Sequence, residues 1–298
     1  MLRFLLLILL SYATACPNPH TTALNGFKLP YRLYQPDQTF LMPPELLEIS
    51  GLGLASDGKT LVAVQDEEGI VFFLNRKTGS IIRQLAFWKD GDYEGIEMAG
   101  KDIFVVKSSG TIYHILYNDN RYDQVEKYSF SLSRENDVEG LAYDAKNNRL
   151  LLACKAKAES TDTTDTQRGI YSFDLSTMQI STQPVFTISL EDVQQYLTTV
   201  GTTVEKLEQQ FAEDAEKFAF APSGIAIHPR TGHIYIISSV GKTLFVLHEQ
   251  GKILHIEKLQ KKIHAQPEGI CFAQDGTLYI SNEGKKGEPG KIYVFHMK

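Results

Sequence analysis

The chain has 298 residues, with 30 Lys and Arg against 36 Asp and Glu and a formal net charge of −6. That length can bury a sizeable core. The acidic balance, with no basic run, argues against nucleic acid as a partner.

Residues 1–15 read as a signal peptide. Arg3 supplies the charge, Phe4 to Leu10 an apolar core too short to span a bilayer, and Ala13-Thr14-Ala15 a small-residue cleavage site. Cys16 follows directly. Small-small-Cys resembles the lipobox of bacterial lipoproteins, with Ala13 where the usual Leu stands. Lipidation of Cys16 would tether the protein to a membrane through a polar stretch, residues 16–27. Plain secretion after Ala15, with Cys16 a spare thiol, is the alternative. The body, residues 28–298, is expected to be one domain.

Before the first repeat, Tyr31 to Tyr34 and Thr39 to Leu41 have strand character. Then one phrase recurs five times, a polar residue, a glycine and an aliphatic residue. The copies are Ser50-Gly51-Leu52, Glu94-Gly95-Ile96, Glu139-Gly140-Leu141, Ser223-Gly224-Ile225 and Glu268-Gly269-Ile270. The glycines lie 44, 45, 84 and 45 residues apart. A fixed period of about 45 residues marks an array or a propeller, and the long gap is one period plus an insertion. Each unit continues with a turn and a second strand, Leu61 to Val64 in the first and Leu278 to Ile280 in the fifth. Turns such as Ser56-Asp57-Gly58 and Asp275-Gly276 signal hairpins. A third strand follows in every unit. A fourth follows in four of them, as at Ile180 to Ile188, but the fifth unit ends at Lys298 without one. The pattern predicts an all-β, five-bladed propeller of four-stranded antiparallel blades. The N-terminal segment would supply the missing outer strand of the last blade, leaving no open edge.

The long gap holds a helical insertion, residues 189–217, between blades three and four. Ser189 is its expected N-cap and Thr202 with Glu205 a capping box. Val204, Leu207, Phe211 and Phe218 recur at helical spacing. Cys154 and Cys271 lie in apolar runs of different blades and are expected to stay unbridged.

Propeller topology sends the residue before each glycine, and those just after each second strand, to one channel mouth. The expected ring is Ser50, Glu94, Glu139, Ser223 and Glu268, with Asp66, Lys107, Lys155, Asn282 and Glu283 nearby. Carboxylates from different blades repel one another and need a cation, a lysine or shared protons. Glu94, Glu139, Glu268, Asp66 and Asn282 are candidate calcium ligands, because calcium takes oxygen donors. Ser50, Lys107, Lys155, Ser223 and Glu283 are candidate ligand-binding residues. Two other readings stay open. Lys107 and Lys155 would close the mouth by salt bridges, or the glutamates would serve a lead-in turn, with glycine permitting the bend and the carboxylate accepting backbone N–H groups. The insertion, the loop Lys155 to Arg168 and the loop Asn282 to Gly290 are expected on the same face. The chain has no G-x-S-x-G, H-E-x-x-H or phosphate-loop motif.

In Glu48-Ile49-Ser50-Gly51-Leu52, Asp92-Tyr93-Glu94-Gly95-Ile96, Asp137-Val138-Glu139-Gly140-Leu141, Pro222-Ser223-Gly224-Ile225, Pro267-Glu268-Gly269-Ile270 and Ser281-Asn282-Glu283, the chain resembles the SdiA-regulated (YjiK-like) family of bacterial envelope proteins. The resemblance spans roughly residues 44 to 298, and the lipobox-like start and helical insertion look like the Bacteroidota-type version. It implies a five-bladed propeller and a cell-envelope location but supplies no reaction. Three functions are weighed: a membrane-anchored binding or scaffolding module with a cation at the mouth, a structural partner for another envelope protein, and a metal-dependent hydrolase of lactonase or phosphoesterase type. The last rests on analogy with six-bladed lactonases and phytases, whose channel-mouth carboxylates use calcium.

Overall fold

The β-branched and aromatic runs after each repeated glycine form strands, as side chains suited to a pleated, half-buried surface should. A computed structural model describes residues 26–158, 165–200, 205–212, 218–285 and 287–298. Residues 1–25, with the expected signal peptide, Cys16 and all of the tether but Gly26 and Phe27, lie outside the described residues; Phe27 packs against the core between blades four and five. So do Thr202 and Val204.

The first strand, β1 (Gln38–Leu41), is followed by five antiparallel sheets arranged as blades. Blade one is β2 (Ile49–Leu54), β3 (Thr60–Gln65), β4 (Ile70–Asn75) and β5 (Ile81–Ala86). Blade two is β6 (Tyr93–Ala99), β7 (Asp102–Lys107), β8 (Ile112–Asn118) and β9 (Arg121–Tyr128). Blade three begins β10 (Val138–Asp144), β11 (Arg149–Cys154) and β12 (Gln167–Asp174). Blade four is β15 (Ala221–Ile227), β16 (Ile234–Val240), β17 (Thr243–Leu247) and β18 (Ile253–Lys258). Blade five is β19 (Pro267–Phe272), β20 (Leu278–Asn282) and β21 (Lys291–Phe295), and its outer strand is β1. Thr39 pairs with Tyr293 and Phe40 with Ile292, so the chain's start closes the ring as expected.

Two expectations change. The outer strand of blade three is not continuous from Ile180 to Ile188. It is split into β13 (Gln179–Ile180) and β14 (Phe186–Ser189), both paired with β12. Pro184, between them, has no N–H to offer a ladder. Tyr31 to Tyr34 form a strap rather than a strand. Tyr31 and Leu33 bury their side chains with Tyr235, Phe272 and Phe295. Tyr31 donates its hydroxyl to the Gly276 carbonyl at 2.6 Å. The buried His264 ring nitrogen Nε2 lies 2.9 Å from the Leu33 carbonyl.

Apolar side chains fill each wedge between neighbouring blades. The glycines set how closely the inner strands approach. A Cβ on Gly51 would sit 2.7 Å from the Ile96 nitrogen, and one on Gly224 would sit 2.3 Å from the Glu268 carbonyl oxygen. None of the five repeated glycines has positive φ, so they serve close approach rather than the expected bend.

The insertion forms α1 (Leu190–Val200) and α2 (Glu205–Gln210). Ser189 caps α1: its hydroxyl accepts the Asp192 N–H at 3.0 Å, and Asp192 Oδ2 accepts the Ser189 N–H at 3.0 Å. Val193, Leu197, Leu207, Phe211 and Phe218 are buried in the wedge between blades three and four. The insertion therefore widens a core, and neither helix lines the channel opening. Cys154 and Cys271 are buried, free and in different blades. No described helix is long and apolar enough to cross a membrane.

Candidate functional site at the channel mouth

Every inner strand loses register at its repeat phrase. Tyr93 pairs with Lys107 but Gly95 with Val106, leaving Glu94 as the extra residue. Glu139 and Ser223 are extra in the same way in blades three and four. The register also shifts between Ile49 and Leu52 and between Pro267 and Ile270. A β-bulge re-aims the residue it leaves unpaired. Here the bulges bring Glu94, Glu139, Ser223 and Glu268 to one narrow space of about 10 Å³ at the channel axis, room for a single water-sized group.

Burial raises all three glutamates, because a carboxylate removed from water is disfavoured. Glu94 is pushed up to about 10, by burial first and then by the charge of Glu139 and its contact with Asp92. Glu268 rises to about 8, from burial and Glu139. Glu139 rises to about 7 through burial, against the pull of Lys155. Lys155 Nζ donates to Glu139 Oε1 at 2.9 Å. Burial works against the Lys155 charge, but Glu139 outweighs it and holds the ammonium above its usual range. Glu94 and Glu268 are in no salt bridge among the described residues. No described backbone N–H donates to the three mouth glutamates, as the lead-in-turn reading required. Glu97, one turn deeper on β6, accepts the Met98 N–H at 2.8 Å and the Tyr143 N–H of the next blade at 3.3 Å.

The other expected residues divide. Ser223 donates its hydroxyl to the Pro267 carbonyl at 2.6 Å, tying blade four to blade five. Ser50 does not line the central space, and its carbonyl accepts the Ser281 hydroxyl at 3.1 Å. Asp66 sits in a neighbouring acidic group, raised to about 6 by burial and then by Glu48, Glu67 and Glu283. Glu283 accepts a hydrogen bond from Gln266. Burial and then Glu48 raise it above the usual range. Lys107 lies over the Tyr93 ring, 5.3 Å from its centroid, and forms no salt bridge; of the two lysines expected to close the mouth, only Lys155 pairs with a glutamate. Asn282 is buried, and neither its Oδ1 nor its Nδ2 has a partner. Among the described residues, no three His, Cys, Asp or Glu side chains form a ready metal-binding group.

Two site residues were present in the repeat phrases but not singled out. Asp92 accepts the Ser108 hydroxyl and presses on Glu94. Asp137 has φ of 54°, a left-handed conformation that is strained for a residue with a Cβ. It is raised by burial, with Lys155 opposing. The signal was an Asp two residues before each of the first two glutamates.

A family model described as SdiA-regulated matches residues 44–296. The chain belongs to the SdiA-regulated family. The match takes in all five inner strands and every mouth residue named above. Among solved structures, glutaminyl cyclase of Myxococcus xanthus is similar at 10% identity, over 89% of this chain and 96% of that chain, with a TM-score of 0.57. The PQQ-bound aldose sugar dehydrogenase of Streptomyces coelicolor is similar at 12% identity, over 89% and 98%, with a TM-score of 0.51. At such identities the likeness to this SdiA-regulated chain is one of fold.

Proposed function

We propose that this SdiA-regulated propeller is a binding module of the bacterial cell envelope, tethered through Cys16, that receives a cation or the cationic group of a ligand at its channel mouth. One observation carries this reading: Glu94 and Glu268 are turned into the axis by bulges, are partly buried, and have no salt-bridge partner among the described residues. A fold keeps such groups against their own repulsion when something binds there. Calcium is the first candidate, taking oxygens from Glu94, Glu139 and Glu268, with Asp66 and Asn282 at the margin. The unpartnered Asn282 and Asp66 oxygens fit an oxygen-seeking ion. The hydrolase reading gains no observation beyond fold analogy.

Calcium should raise the melting temperature of the wild type in proportion to occupancy, and chelation should lower it. Glu94→Gln should blunt that response. A calcium response equal in wild type and variant would contradict the site. The tether has a separate test. Cys16→Ser should move the protein from the membrane to the soluble fraction, and unchanged partition would remove the anchor from the account.

A further inference from the structure

Beside the acidic opening, blade four carries ammonium groups with no carboxylate partner among the described residues. The turn from β16 to β17 (Val240 to Lys242) belongs to the mouth face, because second strands end there. Lys242 Nζ donates to the Ser239 carbonyl. Lys258 lies across the same turn, since Thr243 pairs with Lys258 and the Leu259 N–H bonds to the Lys242 carbonyl at 2.9 Å. Lys258 Nζ donates to the Gly241 carbonyl and to Gln210 Oε1 of α2. Gln210 is itself fixed by its Nε2 donating to the Ala219 carbonyl at 2.8 Å. The insertion thus positions a mouth-face lysine, although its helices stay away from the axis.

An ammonium has three donors. Lys242 uses one and Lys258 two, all on neutral oxygens. Lys206, Lys261 and Lys285 stand close enough to repel this pair. None of the five is in a salt bridge among the described residues. Burial and then Lys206 push Lys258 below the usual lysine range. Burial also lowers Lys242, where Glu268 pulls the other way and Lys285 and Lys261 add repulsion. Glu268, on the inner strand of the next blade, acts on Lys242 across the same mouth face. In the wedge of blades four and five lies Asn282, 3% exposed, with an unused donor and acceptor. Its side follows from alternation: Leu278 and Ile280 pack toward blade four, whereas Ser281 bonds to blade one.

We infer that Lys242 and Lys258, flanked by Lys206, Lys261 and Lys285, form an anion subsite for a phosphoryl group on the ligand taken at the mouth. Three free N–H donors on two adjacent ammoniums suit an oxyanion with several acceptors and two charges. A phosphoryl group on this rim, with a cationic group at Glu268 and Glu94, makes the preferred ligand zwitterionic. The inference rests on reading the mouth as the binding face, but its chemistry is separate from the cation site. Two sources carry the group: a soluble phosphate ester and a phospholipid headgroup.

The test uses the full chain carrying Cys16→Ser, so that no anchor masks lipid binding. Inorganic phosphate is titrated calorimetrically, and vesicles containing one quarter phosphatidylethanolamine are tested by co-sedimentation. Saturable phosphate binding is expected. Lys242→Met with Lys258→Met should weaken it at least tenfold. Lys77→Met, on the opposite face, should leave it unchanged. Should the double variant fail to fold, either single variant should still weaken binding at least threefold. Vesicle binding lost in the same variants assigns the headgroup, and phosphate binding without vesicle binding assigns a soluble ester. Glu94→Gln should leave phosphate affinity intact while blunting the calcium response, so the two sites fail independently. Absence of saturable phosphate binding, or binding indifferent to both lysines, overturns the subsite.

Discussion

The two faces of the propeller use the same acidic residues in opposite ways. On the face away from the mouth, the hairpin acids build turns. Asp57 accepts the N–H groups of Lys59 and Thr60 and the Thr60 hydroxyl, and these bonds hold it below the usual range despite its burial. Asp174 is lowered by the Thr177 N–H and hydroxyl, and Asp275 by the Thr277 N–H against the cost of burial. At the mouth, Glu94, Glu139, Glu268 and Asp66 are all raised, by burial first and then by neighbouring carboxylates. Acids that stabilise a fold are supplied with donors. Glu94 and Glu268, held without a basic partner or a backbone donor among the described residues, have another role, and the difference separates scaffold from site within one repeat.

The largest effect that sharpens this contrast has opposite signs on the two faces. Glu94 keeps its proton in the fold up to about pH 10, whereas the unfolded chain releases it near pH 4.5. The folded state binds more protons between those values, so its stability falls as pH rises. Glu94→Gln should therefore stabilise by up to about 5 kcal/mol at pH 8 and by nothing at pH 4. Asp57 is lowered, so its contribution is present above its unfolded value of 3.8 and is lost as pH falls through its folded value. Asp57→Ala should destabilise by about 1 kcal/mol at pH 7 and less at pH 3. Denaturation curves across pH that shift in the same direction for both variants would erase the contrast.

A smaller effect concerns backbone geometry. Gly224→Ala puts a Cβ 2.3 Å from the Glu268 carbonyl oxygen, where only backbone movement makes room. It should cost about 3 kcal/mol by overpacking. Gly58→Ala, in an opposite-face turn with φ of 64° and open space around it, should cost about 1 kcal/mol from strain alone. Chemical denaturation of both variants measures the difference, and equal losses would show that the inner strands are not held by close contact.

Much of this molecule was legible in its repeat. The spacing of Gly51, Gly95, Gly140, Gly224 and Gly269 set the blade count, and the missing fourth strand of the last unit required β1 to close the ring. The mouth glutamates followed from topology. What the sequence hid was local. A bulge is a register event between strands, and nothing in Glu94-Gly95 alone shows that Glu94 goes unpaired while Tyr93 and Gly95 do not. The role of Lys155 against Lys107 depends on which side of β11 and β7 each leaves. Lys242 and Lys258 stand 16 residues apart in the chain and meet only because β17 and β18 pair. Gln210, the partner of Lys258, reaches it from an insertion whose helical pattern announced its core and not this polar contact.

The central claim is that Glu94 and Glu268 hold their protons until a cation replaces them. Carbon-13 NMR titration of Glu94, assigned with Glu94→Gln, tests it most directly when run with and without calcium. The expected titration lies near 10 without the ion and falls by several units with it. A Glu94 that titrates near 4.5 in both conditions would contradict the account.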